Sequence, residues 1–190
     1  MTKGGRKPGA KEPIRSLEKI DEMKEWLLRN SSYRNYFIFY FGINTGLRIS
    51  DILRLRVKDV RGKDVAKIKM EKTENTVDVY FNAVLQREIE KYTKQMADSD
   101  WLFPSREGDK PITRQMADTI LRKAALACGI DKDQWGTHSM RKSFGYHYYQ
   151  RKKDVYYLMK LFGHTTQGQT LRYIGIEADE IRKTMEDFTL

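Results

Sequence analysis

Cysteine, histidine and proline are scarce in this 190-residue chain: one, three and four residues respectively. A single cysteine excludes a disulfide within the chain and leaves no thiol pair for a zinc site. Cys128 lies in the apolar run "RKAALACGI", where it reads as a buried thiol in a reducing compartment. His138, His147 and His164 lack the close spacing of metal ligands. The acidic residues form no recognisable magnesium motif, so neither metal nor cofactor is expected. Neither a glycine-rich phosphate loop nor a G-x-S-x-G elbow is present. The longest apolar run, "YFIFYFGI", is far short of the roughly 20 residues of a membrane span. No apolar segment follows "MTKGGRKPGA", which argues against a secretory signal and for a cytoplasmic protein.

Positive charge, by contrast, is abundant. Lys and Arg total 36 against 26 Asp and Glu, a net charge of +10. Such an excess favours a polyanionic partner, nucleic acid first. Apolar residues make up 39% of the chain, enough for a core. Residues 1–15 read as a basic flexible tail, rich in Gly, Pro and Lys, and residues 16–190 as one domain.

Within that domain Ser16 is placed to cap a first helix, with Leu17, Ile20, Met23 and Leu27 at helical spacing. "YRNYFIFYFGIN" is apolar nearly all round and predicts a buried helix, ended at Asn44–Gly46. "RISDILRLRV" begins another. Alternation of Val77, Val79 and Phe81 with polar residues predicts a β-hairpin turning at Glu74–Asn75. Asn82 is placed to cap a helix to about Asp98 and Thr113 one ended by Gly129; a helix from Thr137 or Ser139 to about Arg151 and one over "VYYLMKLF" follow. "EADEIRKTMEDF" is weakly amphipathic. The fold class is therefore mostly α with a small antiparallel β-sheet.

Two short segments carry chemistry. In "GTHSMRKSF", His138 and Arg141 stand three apart and share a helix face, in what reads as the first turn, where free N–H groups favour an anion. In "GINTGLRIS", Arg48 follows a glycine break at another helix start. Singly, each also fits a surface ion pair. In chain order the set is "TGLRISDILRLRVKDV", a lysine-bearing hairpin, "HSMR", "LFGH", and Tyr173 nine residues after His164.

This series resembles the catalytic domain of the tyrosine recombinase (phage integrase) family, from about Ser16 to the C-terminus. The resemblance implies Arg48 as the first arginine, Asp51 as the acidic residue that braces it, and Lys72 as the hairpin lysine. His138 and Arg141 match the His-x-x-Arg pair, His164 the second histidine, and Tyr173 the nucleophile. Lys72 is in phase with Ile68 and Met70 and so could face inward; Lys69 and Lys67 compete with it. It further implies metal- and ATP-independent DNA cleavage and rejoining through a 3′-phosphotyrosyl link. Double-stranded DNA, other protomers in a tetramer on two duplexes, accessory DNA-bending proteins and a nucleoid-associated location come with it. Many integrases carry a core-binding domain ahead of the catalytic one. Here only residues 1–15 precede the first helix, as in an excised catalytic domain or a short enzyme similar to the fimbrial-switch inverting recombinases.

The chemistry of the set is coherent. Two arginines present bidentate donors to the nonbridging phosphate oxygens, and losing one such donor costs about 2.7–4 kcal/mol of transition-state stabilisation. A phenol titrating near 10 must lose its proton as it attacks, and His138 can accept it. Lys72 would protonate the departing 5′-oxygen, and His164 would hydrogen-bond a phosphate oxygen. The rivals are a non-catalytic DNA-binding regulator on the same fold, a type IB topoisomerase-like enzyme, and a helix-turn-helix binder using "RQMADTILRKAALACGI".

Overall fold

The computed structural model describes residues 11–72, 74–176, and 179, 183 and 186. Eight helices and one two-stranded sheet are found among them. Helix α1 (Leu17–Asn30) is capped by Ser16, whose side chain accepts from the Lys19 N–H at 3.1 Å. A cap of this kind is worth about 1 kcal/mol. Helix α2 (Tyr33–Thr45) buries nine of its residues and packs against five other helices, so the all-round apolar pattern marks the centre of the core. There Phe37 stacks on Tyr92 at 4.3 Å and lies 5.8 Å from Phe103, while Phe41 meets Phe81 at 5.8 Å.

Gly46 ends α2 with φ +65°, and its N–H donates to the Gly42 carbonyl at 3.1 Å. A Cβ here would lie 2.4 Å from Phe144 Cδ1. Both the left-handed backbone and the space therefore demand glycine. The chain then enters α3 (Ile49–Leu53), shorter than the sequence implies, and a 3₁₀ turn over Val57–Asp59.

Strands β1 (Val65–Lys69) and β2 (Thr76–Tyr80) pair antiparallel, with Ala66 opposite Val79 and Ile68 opposite Val77. Ala66, Ile68 and Val79 face the core, while Lys67, Lys69 and Asp78 face solvent. Helix α4 (Ala83–Thr93) ends five residues before the expected Asp98. The reason is tertiary: Arg61 donates to the Thr93 and Met96 carbonyls and to Asp98, fixing the chain out of helix. Helix α5 (Arg114–Ala127) is capped by Thr113 as expected. Helices α6 (Thr137–Lys152) and α7 (Val155–Phe162) follow the predicted spans within one or two residues.

A further helix, α8 (Gln167–Ile174), was not predicted. "QGQTLRYI" is polar and carries a glycine, which costs about 1 kcal/mol against alanine in a helix. It forms because Thr166 caps it, accepting from the Gln169 N–H at 3.2 Å, and because Thr170 and Ile174 bury against α6 and α7. "EADEIRKTMEDF" lies outside the described residues apart from Asp179, Lys183 and Glu186.

Residues 1–10 of the expected tail also lie outside them, whereas 11–15 pack on the body. The Ile14 N–H donates to Ser143 Oγ at 2.7 Å, its carbonyl meets His147 Nε2 at 2.9 Å, and Arg15 pairs with both Asp179 oxygens at 3.2 Å. His147 is thus a structural residue of α6. Among the described residues no helix is long and apolar enough to cross a membrane.

Candidate active site

Arg48, His138, Arg141, His164 and Tyr173 come from four separate elements and gather around the C-terminal end of α7. Helix α6 starts at the Gly136 cap, so His138 is in the first turn and Arg141 one turn further in. This corrects the expectation that both lie in the first turn. Arg141 is 2% exposed. Its Nη1 donates to the Gly46 carbonyl at 2.8 Å and its Nη2 to the Leu161 carbonyl at 3.2 Å, with the guanidinium 4.3 Å from the Phe162 ring centre. The glycine turn after α2 and the end of α7 therefore fix this fork from two sides. Desolvation pulls its pKa down to about 10, helped by Arg48 and opposed by Tyr173 and Asp51, so it remains a cation at neutral pH.

Arg48 is held more loosely. Its Nη2 reaches the Phe162 carbonyl at 3.4 Å and its Nη1 lies 3.9 Å from Asp51 Oδ2. The bracing expected of Asp51 is thus a long ion pair rather than a hydrogen bond. The firm contact of Asp51 is elsewhere: its Oδ1 accepts from the Glu71 N–H at 2.8 Å. This carboxylate, buried in α3, ties the hairpin turn to the helix that carries Arg48.

Lys72 is the next residue after that tie. Strand β1 ends at Lys69 and the inward alternation ends with Met70. Lys72 is therefore exposed rather than inward-facing, and it has no hydrogen-bond or ion-pair partner among the described residues. Lys69 and Lys67 are exposed on the strand, and Lys67 pairs with Asp78 at 3.6 Å. Of the three, Lys72 is the lysine beside the Asp51 tie.

His164 Nδ1 lies 3.0 Å from Thr170 Oγ1, leaving Nε2 as the ring nitrogen for a substrate. Its ring meets the Tyr173 ring edge-on at 5.2 Å and 76°, and Phe162 meets Tyr173 at 5.4 Å and 65°. Desolvation, then Arg141 and Arg48, push His164 down to about 4. His138 keeps an exposed edge, yet its pKa is also lowered, by desolvation first and then by Arg114, Arg141, Arg48 and Lys142. Both imidazoles are therefore neutral at pH 7. Burial raises the Tyr173 phenol, while the charges of Arg141 and Arg48 and the close approach of Arg141 pull it back.

This is a phenol facing cations, with Asp51 as the carboxylate behind them: a site suited to an anion. Among the described residues no group of three or more His, Cys, Asp or Glu is arranged to hold a metal. Sequence reasoning missed Phe162, Thr170, Lys142 and Arg114. Phe162 and Thr170 act by packing and orienting, which no spacing records. Arg114, at the start of α5, acts on His138 of α6 only through the tertiary fold.

Residues 15–180 match the model of the phage integrase family. A Bacillus subtilis protein named "Probable integrase/recombinase YoeC" is 48% identical over 177 residues, covering 93% of this chain and 96% of that protein. The tyrosine recombinase XerD of Corynebacterium glutamicum is 31% identical over 146 residues, covering 73% of this chain and 47% of its own length. The chain thus spans nearly all of the first relative and about half of the second. Among solved structures, the XerH site-specific recombinase in a post-cleavage complex with its difH substrate superposes with a TM-score of 0.72 at 17% identity. That match covers 98% of this chain and 55% of XerH, and shows the shared fold.

Proposed function

The chain belongs to the phage integrase family of DNA recombinases, and from that premise we propose that it cleaves and rejoins DNA at specific sites, with Tyr173 as the nucleophile. The observation that carries the reading is the convergence of Arg141, Arg48 and His164 on one phenol, with His138 beside the two arginines. XerH, of the same fold, is seen bound to DNA, and the +10 net charge supports the same partner here.

A scissile phosphate would sit against the Arg141 fork and the looser Arg48, with His164 Nε2 on a nonbridging oxygen. Tyr173 Oη attacks phosphorus, and the bond to the 5′-oxygen breaks. The phenol proton passes to His138, whose lowered pKa keeps it a neutral acceptor. Lys72 gives a proton to the departing 5′-oxygen. The 3′-phosphotyrosyl link conserves the energy of the broken bond, so another 5′-hydroxyl reverses the step on a new strand without metal or ATP. Strand exchange between two duplexes calls for four protomers, with accessory DNA-bending proteins as further partners. A place at the nucleoid in the cytoplasm follows from that substrate.

The test is to trap the link. The protein is incubated with nicked, labelled DNA from its own genomic neighbourhood, so that the cleaved end diffuses away, and run on a denaturing gel. A slow band in wild type, absent in Tyr173→Phe, is expected. A band that persists in Tyr173→Phe would assign the nucleophile elsewhere. DNA binding without any band would favour a non-catalytic regulator, and relaxation of plasmids lacking a site would favour a topoisomerase.

A further inference from the structure

One cation approaches Tyr173 from the ring face rather than from the oxygen. Lys142 Nζ lies 5.1 Å from the Tyr173 ring centre. Lys142 follows Arg141 directly on α6, on the side packed against α8. Three residues on, a Cβ at Gly145 would lie 2.6 Å from Ile174 Cγ2 and 2.9 Å from Phe162. The two helices therefore touch where the ring is seated. His164 and Phe162 meet it edge-on at 5.2 and 5.4 Å. The ring thus has the ammonium on one face and two rings meeting it edge-on.

The charges acting on the phenol oxygen are Arg141 from α6 and Arg48 from the start of α3; His164, from the link between α7 and α8, meets the ring edge-on, and Lys142 from α6 lies over the ring face. Arg141 and Arg48 are the groups expected to hold a phosphate, and a bound phosphate offsets their charge. Lys142 lies over the ring itself. An ammonium on an aromatic face attracts a neutral phenol weakly through the quadrupole. It attracts a phenolate through full charge. Its interaction therefore strengthens as negative charge grows on the attacking oxygen, which is the condition for accelerating the step.

We propose that Lys142 is a positioning residue for Tyr173, one that holds the ring by its face and stabilises the phenolate character acquired during attack. The proposal rests on Tyr173 being the nucleophile. It assigns Lys142 a role separate from phosphate binding.

The experiment compares Lys142→Met, which keeps the stem but not the charge, with Lys142→Arg, which keeps the charge. Full-length protein is labelled with fluorotyrosine, and the Tyr173 fluorine resonance is identified among the 11 tyrosines by its loss in Tyr173→Phe. Its titration midpoint is expected to rise by about one pH unit, a tenfold change in ionisation, in Lys142→Met, and to return toward wild type in Lys142→Arg. On the nicked substrate, adduct formation in Lys142→Met is expected to fall about tenfold at pH 7, with DNA affinity within about twofold and the deficit closing as pH rises. An unchanged midpoint in Lys142→Met overturns the proposal even if the adduct forms normally. Weaker DNA binding with an unchanged midpoint makes Lys142 a phosphate contact and also overturns it. A shifted midpoint in a protein that forms no adduct keeps the Lys142–phenol coupling and rejects the nucleophile reading instead.

Discussion

Arg141 and Lys72 are both expected at the phosphate, yet the fold holds them in opposite ways. Arg141 is buried, its fork bonded to two backbone carbonyls and stacked on Phe162. Lys72 is exposed at the hairpin turn with no partner among the described residues, one residue past the Glu71–Asp51 tie. The first arrangement preorganises a charge before substrate arrives, at a cost in desolvation that shows in the lowered pKa. The second leaves a flexible cation whose side-chain freedom, about 2 kcal/mol, is lost only when a substrate provides the partner. On the proposed reading the α6–α8 side binds the phosphate in a fixed geometry and the hairpin side completes the site with DNA. Changes on the α6–α8 side should therefore disturb fold and cleavage together, and changes at Lys72 cleavage alone.

The sharpest test of this contrast is Lys72→Met. Loss of a general acid should slow adduct formation by about 10²–10⁴-fold, while unfolding free energy stays within about 0.5 kcal/mol of wild type. Urea denaturation beside the gel assay reads both. Equal loss in Lys69→Met would move the acid to the strand. Next is Arg141→Lys, which retains charge but cannot span the Gly46 and Leu161 carbonyls. Cleavage should fall by about 10²–10³-fold, and stability should fall as well because a buried carbonyl loses its donor. Retained stability with lost cleavage would weaken the contrast.

Smaller, and aimed at the support rather than the chemistry, is Gly46→Ala. A left-handed backbone costs a non-glycine residue about 1–2 kcal/mol, and overpacking against Phe144 about 1–3 kcal/mol more. A net loss of about 2–5 kcal/mol is expected in urea denaturation, with slower cleavage because the Gly46 carbonyl orients Arg141.

The smallest effect is in pH. The folded pKa of His164 is depressed to about 4 from an ordinary 6.5. As pH falls, the unfolded chain takes up the proton first, so stability is full above about 6.5 and declines from there down to about 4. Calorimetric melting of wild type and His164→Gln across this window should show a steeper decline in wild type. Parallel curves would mean that neither burial nor the two arginines depress His164.

Much of the fold was legible because its signals are local. Ser16, Asn82 and Thr113 cap helices where a side-chain oxygen precedes a periodic apolar run. The buried pattern of α2 and the alternation of β2 mark a helix and a strand without any partner being known. Helix α8 was not legible, because its stability comes from burial of Thr170 and Ile174 against other helices rather than from its own residues. Likewise α4 stops at Thr93 through Arg61, a residue thirty-two positions earlier in the chain.

For the candidate site the division falls in the same place. The sequence by itself determined which residue types are available and in what order: Arg48, His138, Arg141 and His164, each at a helix or near a helix end that short-range rules can place, and Tyr173, on a helix that those rules do not place. Only the tertiary structure decided that Arg141 is anchored by Gly46 and Leu161, ninety-five and twenty positions away. Only it decided that Asp51 holds the hairpin turn, and that Lys142 lies over the ring of Tyr173. Those contacts depend on which helix faces meet and how closely, and glycines at 46 and 145 set that distance by what they lack. Caps and periodicity act within a few residues of chain. Charge, desolvation and ring contacts act through space, between residues that are neighbours only once the chain has folded.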